Sequence, residues 1–296
     1  MNLEKIFSGR AGEMKVKVSV ILPAYNAENT IRRAICSILD QSMSSFELII
    51  IDDGSTDGTL SEINSLRDPR IVLISRENRG LSSSLNEAIL KSKGKYIARM
   101  DADDFSDSER LRVQSNFLDN NKNISVVGSA VVVKYMDGSE RVRRRPVSPD
   151  QIRRLIVLFN PIAHSTVMIR KSDLSVVGFY DESKDGSRTN LVEDYDLWVR
   201  FISAGFQLSN IKEPLLEYYK SSSSILSSQS RFSRLRQQIN SRKQIIVKLR
   251  LPFWHYGLIP PVILFSVLSG AGLKLDGMFN FLSMFSKEHR KSTTDE

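Results

Sequence analysis

The chain has 296 residues, of which 41% are hydrophobic and 26% charged, with a formal net charge of +8. That balance excludes global disorder, and the length suits one large α/β domain with appendages or two small domains. One cysteine, Cys36, excludes an intrachain disulfide or cysteine zinc cluster and points to a reducing compartment, while the positive charge favours anionic partners: nucleotides, nucleic acid or a membrane surface.

The opening MNLEKIFSGRAGEMK lacks the apolar core of a secretory signal. Val16 to Pro23 (VKVSVILP) alternates and then turns fully apolar, as a first buried strand would, and Pro23 is expected to end it. The loop AYNAEN leads to a helical pattern from Thr30 to Leu39, with Glu28 and Asn29 at the junction, where either side chain could cap or touch a ligand. Phe46 to Ile51 (FELIII) is a second strand running into Asp52-Asp53-Gly54-Ser55-Thr56-Asp57-Gly58. Its glycines permit a tight turn, and its Ser, Thr and Asp are helix-capping types. Arg70 to Ser75 is a third strand, Glu77-Asn78-Arg79-Gly80 the next loop, and Leu81 to Ser92 a helix.

Tyr96 to Met100 is a fourth apolar strand that ends in three carboxylates, Asp101, Asp103 and Asp104. Two readings stand for these carboxylates. They form a solvated acidic turn capping a helix that starts near Ser108, or a site at the carboxyl end of a buried strand, where ligands of open α/β sheets gather and a cation relieves the repulsion. Each polar cluster of this half falls after a strand and before a helix, which is the doubly wound arrangement. No GxGxxG or GxxxxGK[ST] follows any strand, so a dinucleotide dehydrogenase and a P-loop phosphotransferase are disfavoured.

Ser125 to Val133 reads as another strand, followed by the basic run Arg141 to Arg145 (RVRRR). That run is either a solvated loop face or a contact for a phosphorylated acceptor or an anionic bilayer. Nucleic acid is not expected as a partner, because no aromatic interleaving or recognition module accompanies the charge. Asn160 to Arg170 (NPIAHSTVMIR) reads as a loop and strand in which His164 is structural or lines an acceptor site. Glu193-Asp194-Tyr195-Asp196 opens a helix, where acidic residues also suit the dipole. From Arg231 the chain becomes a basic amphipathic helix, and the apolar, aromatic-rich Phe253 to Leu275 follows, interrupted by Pro260, Pro261, Gly270 and Gly272. This tail is too broken for a confident membrane span and reads as a membrane-surface anchor or as a lid or homodimer contact.

Five segments in this order, VSVILPAYNAENTIRRAICSIL, ELIIIDDGSTDGT, ENRGLSSSLNEAI, GKYIARMDADD and VEDYDLWVRF, resemble glycosyltransferase family 2, the inverting GT-A nucleotide-sugar glycosyltransferases. The resemblance covers roughly residues 16 to 220. It implies a GT-A fold, a Rossmann-like and mostly parallel sheet flanked by helices, as a catalytic domain over residues 1–225. The nucleotide-binding half would span about 16–105 and the acceptor half about 106–225, with a helical extension over 226–296. It also implies roles: Ala24, Tyr25 and Glu28 hold the nucleoside, Asp53 accepts from the base, and Arg79 faces the base or pyrophosphate. Asp101-Ala102-Asp103 becomes the Asp-x-Asp motif, Asp101 towards the ribose and Asp103 on a divalent cation, Mn²⁺ or Mg²⁺, with Asp104 a neighbour. Asp194 is the general base, with Glu193 as fallback. Where many relatives place an Arg-x-His element this chain has Tyr218-Tyr219-Lys220 and no histidine, so Lys220 takes over a phosphate contact.

The expected activity is therefore inverting transfer from a nucleotide-sugar donor, a UDP-sugar, to a glycan or polyprenyl-linked acceptor in surface polysaccharide biosynthesis. The expected location is the cytoplasmic face of the membrane. Two alternatives are a non-catalytic nucleotide-sugar-binding subunit and a sugar nucleotidyltransferase. The second normally carries a Gly-rich loop with a basic residue after the first strand, which AYNAEN lacks.

Overall fold

The computed structural model describes residues 16–183, 193–219, 231–250 and 257. The chain divides into two compact units, Met1–Ser228 and Gln229–Glu296.

In the first unit, β1 (Val18–Ala24), β2 (Phe46–Asp52), β3 (Ile71–Ser75) and β4 (Tyr96–Arg99) form a parallel sheet in the order β3-β2-β1-β4. Every residue of β1, β2 and β4 is buried, as expected of parallel strands covered on both faces. The covering helices are α1 (Ile31–Leu39), α2 (Thr59–Ser65) and α3 (Leu81–Lys91), each leading to the next strand. Pro23 does not end β1, which continues to Ala24 paired with Asp52 of β2. The Ile21 carbonyl accepts from Met100 on the β4 side, so Pro23, two residues on, points its missing donor to where β4 has already ended.

Two glycines are fixed by close approach. Gly94 precedes β4, and a Cβ there would lie 2.5 Å from the Ser19 backbone nitrogen. Its amide instead donates to Ser19 Oγ at 2.8 Å, and Ser19 donates to the buried Glu47 carboxylate at 2.6 Å. Gly54 has φ +75°, and a Cβ there would come within 2.7 Å of the Asn78 nitrogen. The loop after β2 thus lies directly on the loop after β3.

The second half of this unit is mixed. After β5 (Phe105–Ser106) and α4 (Arg110–Asn120) comes the long β6 (Ile124–Lys134). A turn through Asp137 and Gly138 joins β6 to β7 (Glu140–Arg143), and so short a link makes the pair antiparallel. Then follow α5 (Pro149–Leu155), a 3-10 turn (His164–Thr166), β8 (Met168–Arg170), α6 (Lys171–Val177), α7 (Glu193–Ser203) and β9 (Gln207–Tyr219). The sheet continues β4-β8-β6-β9-β5, with β8 antiparallel to both neighbours and β9 parallel to β6. Parallel pairing therefore dominates the expected nucleotide-binding half only.

The helix expected near Ser108 starts at Arg110, because Phe105 and Ser106 first pair with β9. Asp107 turns the chain into it, its carboxylate accepting from the Glu109 amide at 2.9 Å. In the second unit, α8 (Arg231–Lys248) is the expected basic helix, with Ile245 and Ile246 buried and Leu249 buried just beyond it. The apolar tail Phe253 to Leu275 lies outside the described residues. Among the described residues no helix is long and apolar enough to cross a membrane.

Candidate active site

The loops after the first three strands are tied to one another by their own side chains. Asn26 has φ +47°, and its side-chain carbonyl accepts from the Thr56 amide at 2.8 Å. Glu28 accepts from the Gly58 amide at 2.8 Å, and its own amide donates to Asp57 at 3.2 Å. Asp53 is buried, and its carboxylate accepts from the backbone amides of Arg79 at 2.8 Å and Gly80 at 2.9 Å. It also pairs with the Arg76 guanidinium, which Glu87 holds from the other side at 2.7 Å. A carboxylate offers about four acceptor positions, so Asp53 keeps about one for a ligand. The side chains of Tyr25 and Arg79 stand exposed at this edge, and Ala24 is buried as the last residue of β1.

The end of β4 brings three carboxylates together. Oxygens of Asp101, Asp103 and Asp104 lie within 4.8 Å of one another. Asp101 is gripped by both terminal nitrogens of Arg99, each at 2.5 Å, and Ser165 from the 3-10 turn donates to it and accepts from Arg99 at 2.9 Å. Asp103 is exposed to solvent, and its backbone carbonyl accepts from Arg33 of α1 at 2.7 Å. The Arg33 guanidinium also stacks 3.6 Å above the ring of Tyr219. Asp104 is buried, and its Oδ2 has no hydrogen-bond partner.

Burial, with the charges of Asp101 and Asp103 beside it, pushes the Asp104 carboxyl up to about 8. Although Asp103 as a residue is exposed, partial desolvation of its carboxyl group, then the Asp101 charge, raises it as well. Asp107, not this trio, turns the chain into α4, so the helix-capping reading of the trio falls away. Three crowded oxygen donors, one of them orphaned, fit a hard divalent cation.

A cleft of about 790 Å³ opens beside the trio. Asp101 and Asp103 line it together with Tyr25, Arg33, Met136 and Tyr219. Asp53, Arg79, Glu193, Asp194 and His164 are not among its lining residues.

Asp194 occupies the first turn of α7 and is 8% exposed. One oxygen accepts from the Asn160 side-chain amide at 2.7 Å and the other from the Tyr195 backbone amide at 2.7 Å. Burial, then the neighbouring Glu193 charge, raises its carboxyl to about 6. A general base in that range is ionised at neutral pH and still basic enough to take a hydroxyl proton.

His164 Nε2 meets the Tyr180 hydroxyl at 2.9 Å, and its ring sits edge-on to Trp198 at 6.1 Å. Burial holds its pKa well below the ordinary value, so the imidazole is neutral. Glu193 is half-buried beside Asp194. Lys220 lies outside the described residues.

Arg99 joins the two acidic clusters and had no place in the sequence reading. Its fully buried guanidinium lies within electrostatic reach of the trio and also of Asp194 and His164. The signal was present: Arg99 and Asp101 are two residues apart on an extended chain and so face the same side. Asn160 and Ser165 carried no comparable pattern, because their roles depend on a loop and a 3-10 turn that bring distant segments together.

A half-parallel α/β sheet with carboxylates at the end of its fourth strand and an acidic helix start across from them is the GT-A fold of glycosyltransferases. The family profile described as Glycosyl transferase family 2 matches residues 19–178, more than half of the chain. The putative glycosyltransferase EpsE of Bacillus subtilis is 38% identical over 203 residues, covering 67% of this chain and 71% of that protein. The Escherichia coli protein named UDP-Glc:alpha-D-GlcNAc-diphosphoundecaprenol beta-1,3-glucosyltransferase WfaP is 31% identical over 234 residues, covering 78% of this chain and 87% of its own length. Among solved structures, the mannosyltransferase PcManGT from Pyrobaculum calidifontis, in complex with GDP-Man and Mn²⁺, superposes with a TM-score of 0.59 at 16% identity, covering 91% of this chain and 79% of that one. The chain belongs to glycosyltransferase family 2 and is a glycosyltransferase.

Proposed function

We propose that this enzyme transfers a sugar, with inversion, from a UDP-sugar to a diphosphate-linked glycan acceptor during surface polysaccharide synthesis. The observation that supports the reading is that the buried Arg99 guanidinium grips Asp101 of the trio and lies within electrostatic reach of Asp194, whose carboxyl is raised to about 6. WfaP, by its name, uses UDP-Glc and a diphosphoundecaprenol-linked sugar, and that supports the donor and acceptor classes.

In this reading Ala24, Tyr25 and Glu28 border the nucleoside. Asp53 accepts from the base with its remaining lone pair, and Arg79 meets the base or the diphosphate. Asp101 faces the ribose and Asp103 holds Mn²⁺ or Mg²⁺, which when bound offsets charge on the departing diphosphate. Asp194 takes the proton of the acceptor hydroxyl as that oxygen bonds to the anomeric carbon and the carbon–oxygen bond to the nucleoside diphosphate breaks. One base and an in-line displacement give inversion; Glu193 is the fallback base. His164 borders the acceptor sugar through Tyr180, and Lys220 meets phosphate.

The catalytic domain in this reading is residues 1–225. Residues 226–296 attach it to the cytoplasmic membrane face or to a second copy.

The test combines a screen of UDP-, GDP- and dTDP-sugars for thermal stabilisation with Mn²⁺ or Mg²⁺ and two variants. Asp103→Asn should lose metal-dependent donor stabilisation. Asp194→Asn should keep it and lose transfer, with product anomeric configuration read by NMR. Near-normal turnover in Asp194→Asn with Glu193 intact would remove Asp194 from its role. A donor that is bound but neither transferred nor hydrolysed would instead make the chain a binding subunit.

A further inference from the structure

Three consecutive cations, Arg143, Arg144 and Arg145, lie where β7 ends and the chain turns towards α5. Among the described residues none of the three pairs with a carboxylate. Arg143 and Arg144 are exposed, whereas Arg145 turns inward. Its Nη1 donates to the Asn160 carbonyl at 3.3 Å, and its Nε is buried with no partner. The side chain of that same Asn160 donates to Asp194 at 2.7 Å, so a single residue separates the guanidinium from the carboxylate.

The backbone here is fixed. The Pro146 carbonyl accepts from Asn210 Nδ2 at 2.6 Å, and the Val147 carbonyl accepts from Ser209 Oγ at 2.8 Å. Asp194 and the Tyr218 hydroxyl lie within electrostatic reach of Arg145, but burial outweighs them and pulls its pKa below the ordinary value. Arg145 is half-buried by surface area, and a guanidinium whose Nε is enclosed without a carboxylate partner is better satisfied when an anion completes it. Its fork of donors matches phosphate oxygens in particular.

We propose that Arg145, extended outward by Arg143 and Arg144, is a phosphate subsite for the acceptor, holding the acceptor's diphosphate while Asp194 faces its sugar hydroxyl. The proposal rests on the transfer reaction given above and adds what selects the acceptor. A diphosphate attached to the acceptor sugar lies about one ring's width from the attacking hydroxyl. A cation one residue away from the base is placed to receive it. The exposed Arg143 and Arg144 continue the positive path to solvent, along which a charged acceptor is drawn in.

The test is calorimetric titration of the full chain with farnesyl diphosphate, with UDP and Mn²⁺ present in excess to fill the donor site and farnesol as the uncharged control. Wild type should bind farnesyl diphosphate and not farnesol. Arg145→Gln should weaken binding about 10- to 100-fold, the scale of a lost charge-assisted hydrogen-bond pair. Arg145→Lys should recover part of the loss, and Arg144→Gln should weaken binding by less than Arg145→Gln. Unchanged UDP affinity in each variant shows that the fold is intact.

Absence of binding to wild type, or equal affinity in wild type and Arg145→Gln, would overturn the subsite. So would a result in which the variants lose sedimentation with phosphatidylglycerol vesicles but keep farnesyl diphosphate affinity, because the run would then serve the bilayer. Failure of the enzyme to bind UDP would count against the proposed reaction and leave the farnesyl diphosphate comparison readable by itself.

Discussion

Removing the Asn160 amide should move the acid limb of the pH–rate profile upward. In its proposed role Asp194 takes a proton only when ionised, so activity should be present above its pKa and lost as pH falls through it. Burial and Glu193 push that pKa up to about 6, while the Asn160 amide at 2.7 Å opposes them by bonding the charged form. A hydrogen bond to a charged group contributes roughly 1.5–3 kcal/mol, which at about 1.4 kcal/mol per unit is about one to two pKa units. With Asp194 only 8% exposed, little water is at hand to replace the lost donor.

In Asn160→Ala the limb should therefore rise from about 6 to between about 7 and 8. The assay is kcat against pH from roughly 5 to 9.5 at saturating donor and acceptor, where bound-state pKa values appear. The variant should approach the wild-type rate at the alkaline end, which general damage to the site would not allow. A limb that stays in place, or moves down, would refute the argument that Asn160 holds the base in its ionised form.

Three further outcomes follow from buried groups. Asp194 carries a folded-state carboxyl near 6 against about 4 in an unfolded chain, so its charge costs stability that is absent below about pH 4 and grows as pH rises through 6. Asp194→Asn should accordingly gain up to about 3 kcal/mol in urea unfolding at pH 8 relative to its effect at pH 4, and an identical change at both pH values would contradict this. Arg99→Met leaves Asp101 without its bidentate partner and should cost about 3 kcal/mol, with Arg99→Lys recovering little because an ammonium cannot grip both oxygens. Gly94→Ala forces a Cβ to within 2.5 Å of the Ser19 nitrogen and should cost about 3 kcal/mol or abolish soluble expression, whereas wild-type melting would show that β1 and β4 can separate there.

The first half of the fold was legible because it is locally encoded. VSVILPA, FELIIID and YIAR are short apolar runs, each followed by a polar loop and a helix period, and that pattern leaves few topologies. In the second half the strands at Ser125 to Val133 and before Arg170 and the helix at Glu193 were legible as elements, but their order in the sheet was not, because its pairings are long-range. Nothing in MIR marks it as a strand between β4 and β6, and the two residues FS become β5 only because β9 reaches them. The candidate site residues divide the same way. Asp101, Asp103 and Asp194 stand in motifs at element ends, whereas Asn160 has meaning only once Asp194, 34 positions later, lies against it. Arg76 shows the cost of reading a loop by its motif: DDGST drew attention to Asp53 as a ligand group, but three protein donors already claim much of its capacity.

Unsatisfied groups draw a sharper outline of the site than any motif does. Native interiors pair nearly all buried polar atoms, so an orphan calls for an explanation. The polar triad of Ser19, Glu47 and Gly94 is closed by short hydrogen bonds, and Arg170 donates to the carbonyls of Ile124, Leu118 and Asn121. Both lie where β1, β2, β4 and β6 begin, at the end of β4 opposite to the carboxylate cluster. The orphaned atoms in this unit belong instead to Asp104, Arg99, Arg110, Arg33, Arg145, Trp198 and Asn210. Each of these residues touches the trio, Arg99, His164 or the segment that carries Arg145. Among the described residues of the sheet unit, the buried side-chain atoms without a partner thus include groups at the trio, at Arg99 and at Arg145. Ligands that complete those groups bind only the folded chain, so donor, cation and acceptor phosphate should each raise its melting temperature, and should do so through the residues that the bare fold leaves incomplete.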